Sequence, residues 1–311
     1  MRIKSPVTNS DNIVLEEELD IELVINKYKD DYQIDINNYF KNVSSLRIYK
    51  CLDTEYRFYF PFDIVGHSDL YKKLQNQSWY YTLRWEHKIA EKFFQSNSSV
   101  LEIGCGKGDF LKKLQQKNKN IFCTGLEFNE NAANLAKIQG INVLKQDICE
   151  HARDHIESYD VVCYFQVLEH IPQVQAFIQA SIETLKTGGQ LIIGVPNNNP
   201  FLYGYDKYHT LNLPPHHMGL WNLKSMKNLQ KVFSLRLDKI FIEPLNQHEY
   251  NYYFQVISEN LNQESNLLNK AANFLFLSLK TSKTSQIKWL LQSLVCQFIQ
   301  GRNILAVYTK I

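Results

Sequence analysis

The stretch that most constrains the fold of this chain is residues 99–110, SVLEIGCGKGDF. Its apolar residues up to Ile103 predict a short buried strand, and the glycines Gly104, Gly106 and Gly108 predict a tight turn before a helix. Glycine lets the backbone approach a ligand closely, and a helix start offers unpaired N–H groups to a carboxylate or phosphate. The sequence therefore predicts a ligand-binding loop, with a purely structural glycine turn as the alternative.

The spacing of the glycines indicates which ligand is favoured. A dinucleotide fingerprint needs a glycine at position 109, where this chain has Asp109. The pattern Glu102-x-Gly104-x-Gly106-x-Gly108 instead resembles motif I of the class I S-adenosylmethionine-dependent methyltransferases. An NAD-linked dehydrogenase or epimerase and a non-catalytic cofactor-binding scaffold protein stay open as alternatives.

Composition limits the class of protein. A chain of 311 residues can bury one sizeable core and carry additions, and its net charge of +2 gives no reason to expect a nucleic-acid partner. The six cysteines form no CxxC pair, which indicates free thiols in a reducing compartment and neither a disulfide framework nor a zinc site. The first twenty residues lack an apolar leader, and no run of eighteen apolar residues occurs, so we expect a cytoplasmic protein without a transmembrane segment.

Alternating strand and helix patterns follow the glycine loop. Strands are predicted over 120–126, 142–144, 159–165, 190–195, 235–242 and 304–309. Such alternation is typical of an α/β fold with a doubly wound parallel sheet. The resemblance implies a mostly parallel, seven-stranded, Rossmann-like sheet whose last strand is antiparallel.

The segment before the glycine loop is expected to be helical. Tyr81, Trp85, Ile89 and Phe93 recur every four residues, and Ser78 stands where an N-cap would be. In similar methyltransferases a helix in this place crosses the cofactor pocket.

The chain is expected to have three parts. Residues 1–77 form an N-terminal extension, in which a helix over 19–28 and strands within 46–60 are predicted. The methyltransferase domain takes residues 78–245 and 303–311. Residues 246–302 form a helical insertion, with helices over 267–279 and 287–299, which is a lid, a homodimer surface or a membrane-surface element.

The resemblance assigns cofactor-binding residues beyond the loop. Glu127 lies about twenty residues past the glycine turn, where nucleotide-binding folds place the carboxylate that binds two ribose hydroxyls. Asp147 is expected to bind the adenine amino group and Ile148 to offer its backbone N–H, and Asp147 can also cap the next helix. The other assigned residues are Tyr81, Arg84, Glu102, Gly104, Cys105, Gly106, Gly108, Phe165 and Gln166. For Tyr81, packing on the domain is the alternative role.

Three histidines are candidates for the catalytic base. His170 follows the fourth strand in a Leu-Glu-His-Ile run that resembles small-molecule methyltransferases acting on quinone precursors and sugars. His216 and His217 lie in the long aromatic loop 197–221, and one of these adjacent rings is expected to face the pocket while the other points away. Related metal-dependent enzymes carry a Glu-x-x-Glu-His run, but Gln166 replaces its first carboxylate, so no metal site is expected.

Together these features predict methyl transfer from S-adenosylmethionine to a small polar acceptor. A base near the acceptor and a loop rich in tyrosine and histidine favour O-methylation of a sugar or glycan precursor or of a phenolic metabolite.

Overall fold

The computed structural model of the protein describes residues 2–75, 82–118, 120–199, 207–251, 255 and 296–311. The chain divides into two compact units, of which the first comprises residues 1–197, 208–241 and 303–311 and the second residues 198–207 and 242–302. Tyr81, the predicted helix 267–279 and all but the last four residues of the predicted helix 287–299 lie outside the described residues.

Eleven strands are present in the described part of the chain. In chain order they are β1 (Ile13–Leu19), β2 (Leu46–Cys51), β3 (Arg57–Phe60), β4 (Ser99–Ile103), β5 (Phe122–Leu126), β6 (Asn142–Leu144), β7 (Tyr159–Phe165), β8 (Leu185–Pro196), β9 (Gly219–Leu220), β10 (Leu235–Pro244) and β11 (Gln300–Lys310). The α-helices are α1 (Ile21–Tyr32), α2 (Asn37–Phe40), α3 (Ser68–Gln75), α4 (Trp85–Ala90), α5 (Asp109–Lys117), α6 (Glu130–Ile138), α7 (Ile148–Asp154), α8 (Val174–Thr184) and α9 (Leu223–Asn228).

The central element is a seven-stranded sheet in the order β10-β11-β8-β7-β4-β5-β6. Strands β4 to β8 pair in parallel, and β11 runs antiparallel to β8. The order reverses at β4, so the carboxyl ends of β4 and β7 flank the crevice where open α/β sheets bind ligands. The predicted fold class, a mostly parallel seven-stranded sheet, is confirmed.

The sheet is apolar on both faces, as expected of parallel strands covered by helices. On one face Leu101 and Val162 belong to the same cluster as the apolar residues of α7 and α8. On the other, Val100 and Cys163 lie in a cluster with the apolar residues of α5 and α6. Burial on both sides fixes the register of the strands, because a slip by one residue would exchange the two faces.

The N-terminal extension forms a sheet of its own. Strands β1, β2 and β3 pair antiparallel in sequence order, and the short β9 from the long loop is added beside β3. The predicted helix at 19–28 is present as α1, capped by Asp20, whose side chain accepts a hydrogen bond from Glu22 N. Strand β1 was not predicted, because its sequence IVLEEEL lacks the regular alternation of apolar and polar residues. It is an edge strand of this sheet, where charged residues are common.

The predicted helix from Ser78 to Phe93 is wrong at residues 82–84, and its first four residues lie outside the described part of the chain. Residues 82–84 are not helical, and α4 begins at Trp85. The backbone N–H of Arg84 donates to His87 Nδ1 at 3.0 Å, which is a local start signal inside the apolar repeat. The apolar face itself is present, since Trp85, Ile89 and Phe93 pack against the core.

The second unit is described over 198–199, 207, 242–251, 255 and 296–302. Within it, Leu245 N donates to the carbonyl oxygens of Cys296 and Ile299, and Arg302 pairs with Glu249. Among the residues that were searched, none of the helices has the length and apolar character needed to cross a lipid bilayer.

Candidate functional site

The glycine loop between β4 and α5 adopts a backbone that only glycine takes without strain. Gly104, Gly106 and Gly108 have φ values of +72°, +54° and +76°. A Cβ atom added to Gly104 would lie 2.6 Å from a methyl carbon of Val167. The loop N–H groups of Gly104 and Cys105 donate to the carbonyl of Leu126 at 2.8 and 3.1 Å, which ties the turn to the end of β5.

Glu127, the candidate for the ribose hydroxyls, lies against this loop. Its Oε2 accepts from Gly106 N at 2.9 Å and its Oε1 from Asn129 N at 2.7 Å. Burial raises the pKa of the Glu127 carboxyl, and the hydrogen bonds from Asn129 and Gly106 oppose that shift. Each carboxylate oxygen has a second lone pair, so a ribose can still be bound. The loop and the acidic residue predicted to act with it are thus in direct contact.

Two further residues predicted to bind the cofactor, Glu102 and Cys105, are buried at the glycine loop. Glu102 is buried, with one oxygen lacking a hydrogen-bond partner among the described residues. Burial and the nearby Glu127 and Asp109 raise the pKa of Glu102 well above its usual value, which favours the protonated form of its carboxyl group. The Cys105 thiol is also buried and its pKa is raised for the same reason, which makes it a packing residue with no reactive thiolate.

Asp147 and Ile148 lie just beyond β6, at the same edge of the sheet. Asp147 is exposed, and its Oδ1 accepts from Cys149 N at 2.7 Å, so the predicted helix-capping role is confirmed. Ile148 is buried in the core below it. One carboxylate oxygen of Asp147 is engaged in the cap, and the adenine role stays a prediction.

Phe165 is the last residue of β7, and Gln166 follows it. The Phe165 ring lies 4.5 Å from the ring of His87 and 5.1 Å from that of Phe110. Gln166 has a φ of +55°, and its side-chain amide donates to Asn303 Oδ1 at 3.2 Å. This left-handed residue turns the chain sharply at the carboxyl end of the strand.

The three candidate histidines form one cluster. His170, His216 and His217 each offer a ring nitrogen, and these three atoms lie within 4.8 Å of one another. The rings of His216 and His217 are stacked, with centroids 4.6 Å apart and an angle of 19° between their planes. The expectation that one of these two rings points away is wrong, because both rings lie against His170, with centroids 4.6 and 4.9 Å from its ring. These residues are not in a strand, so their side chains need not alternate.

The cluster is electrically neutral at physiological pH. Burial lowers the pKa of His170 to about 4, against the opposing effect of hydrogen bonds to the carbonyls of His216 and Gln166. Burial and the neighbouring imidazoles lower the pKa values of His216 and His217 well below the usual value. All three rings can therefore accept a proton or bind an electrophile.

Two buried acids, Glu169 beside His170 and Glu86 near Gly194, have no role predicted from the sequence. Glu169 and Glu86 have no exposed surface, and no oxygen of either carboxyl group has a hydrogen-bond partner among the described residues. Burial raises the pKa of Glu169 to about 8 and also raises that of Glu86. Glu169 stands next to His170 in the quoted run, which was its only signal, whereas Glu86 follows Trp85 in a helix without any motif.

The N-terminal extension holds the histidine loop in place. The buried Tyr28 hydroxyl donates to Leu213 O at 2.9 Å and accepts from His216 N at 3.3 Å. Tyr59 OH donates to Asn212 O at 3.0 Å, and the β3 backbone bonds to Met218 O at the same distance. A region for which the sequence gave no functional interpretation therefore forms one wall of the candidate site.

The fold and this site define an open α/β nucleotide-binding domain with a buried polar cluster beside the switch point of its sheet. A family model described as a methyltransferase domain matches residues 76–238, more than half of the chain. The chain belongs to this methyltransferase family. The predicted resemblance to the class I S-adenosylmethionine-dependent methyltransferases is confirmed.

Curated relatives agree with this assignment. The chain is 30% identical over 106 residues to a ubiquinone biosynthesis O-methyltransferase of Cronobacter sakazakii, covering 32% of this chain and 43% of the relative. A protein of the same name from Hydrogenovibrio crunogenus is 29% identical over 116 residues, covering 35% of this chain and 47% of the relative. The chain thus spans less than half the length of these curated relatives.

A solved structure is also similar to this chain. A SAM-dependent methyltransferase from Thiobacillus denitrificans, in complex with S-adenosyl-L-homocysteine, is 12% identical with a TM-score of 0.47, covering 79% of this chain and 98% of that one.

Proposed function

We propose that this protein transfers the methyl group of S-adenosylmethionine to a hydroxyl oxygen of a small polar acceptor. The observation that carries the proposal is the arrangement of two groups at one edge of the sheet. The glycine loop with Glu127 lies at the ends of β4 and β5, and the histidine cluster joins His170, which follows the adjacent β7, to His216 and His217 in the loop after β8.

The cofactor side uses the loop as a cradle. The N-terminal end of α5, behind Gly108, offers backbone N–H groups and a partial positive charge to the cofactor's carboxylate. Glu127 then binds the ribose hydroxyls, and Asp147 with Ile148 binds the adenine one strand further along. These assignments place the methionine end of the cofactor toward β7, because the other two parts occupy the ends of β5 and β6.

Methyl transfer needs little covalent help from the protein. The acceptor oxygen attacks the methyl carbon, the carbon–sulfur bond breaks, and its electron pair returns to sulfur to give S-adenosylhomocysteine. The hydroxyl proton must leave, and we assign its acceptance to one of His170, His216 and His217, whose ring nitrogens lie within 4.8 Å of one another. A positioned base accelerates such steps by roughly 10² to 10⁴, but a base with a pKa near 4 stands at the lower end of that range.

Two features support a phenolic or sugar hydroxyl as the acceptor. The chain is about 30% identical, over a third of its length, to relatives named as ubiquinone biosynthesis O-methyltransferases. Aromatic groups also line the cluster, since the Tyr71 ring lies 5.6 Å from His170 and 5.9 Å from His216. A flat phenolic ring matches such walls better than an aliphatic amine does.

The test is a methyl-transfer assay on the full chain with catechols, simple phenols, sugars and amines offered separately. We expect S-adenosylhomocysteine release with a hydroxylated acceptor, and a methyl carbon at the chemical shift of an ether when the donor methyl is labelled with ¹³C. Tight NAD binding with no affinity for S-adenosylmethionine would support the dehydrogenase alternative. Binding of S-adenosylmethionine without turnover on any acceptor would support the scaffold alternative.

Single substitutions separate the acceptor side from the cofactor side. His170→Gln, His216→Gln and His217→Gln should each retain S-adenosylmethionine affinity, with turnover lowered in at least one. His155→Gln is the matched control, because His155 stacks on His151 of α7, away from the cluster. Full turnover in all three variants would show that none of these histidines takes part.

A further inference from the structure

A series of side-chain hydrogen bonds joins β5, β6, β7 and α7 and ends beside Asp147. We call it the polar chain, and its members in order are Asn142, Thr124, Tyr159, His151 and Gln146. Its centre is buried, since His151 is 1% exposed and Tyr159 7%. The polar chain shares no residue with the glycine loop or with the histidine cluster. It connects the body of the sheet with the segment that precedes the predicted adenine ligand.

The two ring nitrogens of His151 fix the direction of the hydrogen bonds. Nδ1 lies 2.9 Å from Gln146 Oε1, and because a carbonyl oxygen only accepts, Nδ1 carries the proton. In the neutral ring Nε2 is then an acceptor, and the Tyr159 hydroxyl, 2.9 Å away, donates to it. Burial lowers the pKa of His151 to about 4, so the ring is neutral at physiological pH.

The inner half of the polar chain runs in the same direction. Asn142 Nδ2 donates to Thr124 Oγ1 at 3.4 Å. Burial raises the pKa of Tyr159, and the hydrogen bond from the Thr124 hydroxyl opposes that rise. A hydrogen bond that favours the charged form of a phenol is one that its oxygen accepts, so Tyr159 keeps its own proton for His151. Every donor therefore points toward Gln146.

The outer end of the polar chain is an unused donor. With Oε1 of Gln146 accepting from His151, its amide nitrogen Nε2 is turned away from that ring, and no described residue accepts a hydrogen bond from it. Gln146 is half-buried, and the next residue, Asp147, offers a carboxylate acceptor. A donor beside an acceptor is the pattern that adenine requires, because its amino group donates and its ring nitrogens accept.

The polar chain ends where the base lies if Glu127 binds the ribose. Glu127 N donates to Leu144 O at 3.1 Å, so Gln146 follows by two residues the carbonyl that is bonded to Glu127. Adenine is attached directly to the ribose. The placement of the ribose on Glu127 therefore brings the base to the segment that holds Gln146 and Asp147.

We propose that Gln146 donates a hydrogen bond to a ring nitrogen of adenine, and that His151 and Tyr159 are positioning residues that hold its amide in the donating orientation. This inference rests on the cofactor placement proposed above and is independent of the methyl acceptor. A preset orientation lowers the entropy cost of forming the hydrogen bond. An amide free to turn would also present its oxygen to the lone pair of the ring nitrogen, which is repulsive.

The test is calorimetric titration of the full-length protein with S-adenosylhomocysteine and with its 1-deaza, 3-deaza and 7-deaza analogues, each of which replaces one ring nitrogen by C–H. We expect one analogue to bind the wild type about 3- to 10-fold more weakly because of the lost hydrogen bond to Gln146. Gln146→Leu should weaken binding of S-adenosylhomocysteine by a similar factor and bind that analogue equally well, since the two changes remove the same interaction. Losses that are the same in the wild type and in Gln146→Leu for all three analogues would overturn the contact.

The positioning role has its own set of variants. His151→Phe keeps a ring but loses both nitrogens, so the dependence of affinity on that ring nitrogen should disappear. His151→Asn, whose amide nitrogen takes the place of Nδ1, should restore part of it. His155→Gln is the matched control, because His155 stacks on His151 with centroids 3.8 Å apart but lies outside the polar chain. Full dependence in His151→Phe, or an equal loss in His155→Gln, would overturn the positioning role.

A variant of the buried His151 can fail to fold, and Tyr159→Phe then decides the question. It keeps the ring of Tyr159 but removes the donor to His151 Nε2, so the proton of His151 is free to move to that nitrogen and the Gln146 amide is free to turn. We expect the dependence on the ring nitrogen to fall in this variant as well. Unchanged dependence in Tyr159→Phe would contradict the proposed orientation of the amide.

This inference and the proposed function fail separately. If S-adenosylhomocysteine binds and Glu127→Ala weakens it, while no analogue depends on Gln146, only the inference fails. If S-adenosylhomocysteine does not bind, or if its affinity is unaffected by Glu127→Ala, the cofactor placement itself fails. All of these measurements are equilibrium affinities, so they do not depend on which acceptor is methylated.

Discussion

The two sides of the candidate site are built in different ways. The cofactor side comes from one continuous stretch, residues 102–148, in which short strands alternate with turns and helix caps. The histidine side joins segments far apart in the chain, as in the hydrogen bond between Tyr28 and Leu213, which are 185 residues apart. The first side depends on local backbone chemistry, whereas the second depends on tertiary packing of the N-terminal extension.

This difference explains which parts of the fold the sequence reveals. Local signals act over a few residues, so the strand at Tyr159–Phe165 and the cap at Asp147 were predicted and are confirmed. The histidine cluster requires α1 to lie beside the loop 210–217, and no local pattern encodes that contact.

The largest expected effect on the cofactor side comes from a substitution in the glycine loop, which should lower both stability and cofactor binding. Gly104→Ala places a Cβ atom 2.6 Å from Val167 and forces alanine to a φ of +72°. We expect the free energy of unfolding to fall by about 2–5 kcal/mol, from left-handed strain and overpacking, and S-adenosylmethionine binding to be lost. Denaturant unfolding and calorimetry measure both effects.

Gly140→Ala is the matched control, since Gly140 has a φ of +86° and no atom within 4 Å of the added carbon. It should lose only the strain contribution of about 1–2 kcal/mol and keep full cofactor affinity. Equal losses in the two variants would show that the close approach to Val167 is unimportant.

The histidine side should respond to a residue far away in sequence. Tyr28→Phe removes the hydroxyl that bonds to Leu213 O and His216 N, so we expect a loss of about 1–3 kcal/mol in unfolding free energy. Methyl transfer should fall while S-adenosylmethionine affinity stays unchanged, as measured by S-adenosylhomocysteine release and calorimetry. Tyr39→Phe, whose hydroxyl accepts from His67 N near the surface, is the control and should retain turnover. A parallel loss of cofactor affinity in Tyr28→Phe would contradict the division into two sides.

The variant Glu127→Ala tests whether the Glu127 carboxylate on the cofactor side binds the ribose. Loss of the charge-assisted hydrogen bonds to the ribose should weaken S-adenosylmethionine binding by about 1–3 kcal/mol, measured by calorimetry. Glu130→Ala, in the first turn of α6 and exposed, is the matched control and should bind normally. Unchanged affinity in the Glu127 variant would remove the ribose assignment.

The smallest effect is a pH dependence caused by Glu102. Its pKa is raised in the folded state, so above about pH 4.3 the unfolded chain releases a proton that the folded chain keeps. Its contribution to stability is full below that pH and is lost as pH rises toward the folded pKa, by up to about 1.4 kcal/mol per pH unit. Glu102→Gln should flatten the fall in unfolding free energy between pH 5 and 8, measured by urea titration at several pH values. An equally steep fall in the variant would assign this dependence to another group.

Two features of α4 that the sequence pattern does not reveal have the same physical origin. The predicted helix from Ser78 was extended through residues 82–84 because an apolar period of four continues across them, while the N-cap bond from Arg84 to His87 is invisible in that pattern. Glu86 could not be singled out because a charged residue in an amphipathic helix is normally solvated, yet here it faces Gly194 and Phe165 inside the protein. Burial of an acid is a tertiary property, and helical periodicity does not report it.

The measurement that tests the central claim most directly is a crystal structure of the full chain with S-adenosylhomocysteine. The account predicts the amino-acid end of the product in the loop 104–108, its ribose on Glu127, and its sulfur facing the cluster of His170, His216 and His217. A product bound elsewhere, or a loop occupied by the pyrophosphate of a dinucleotide, would contradict it.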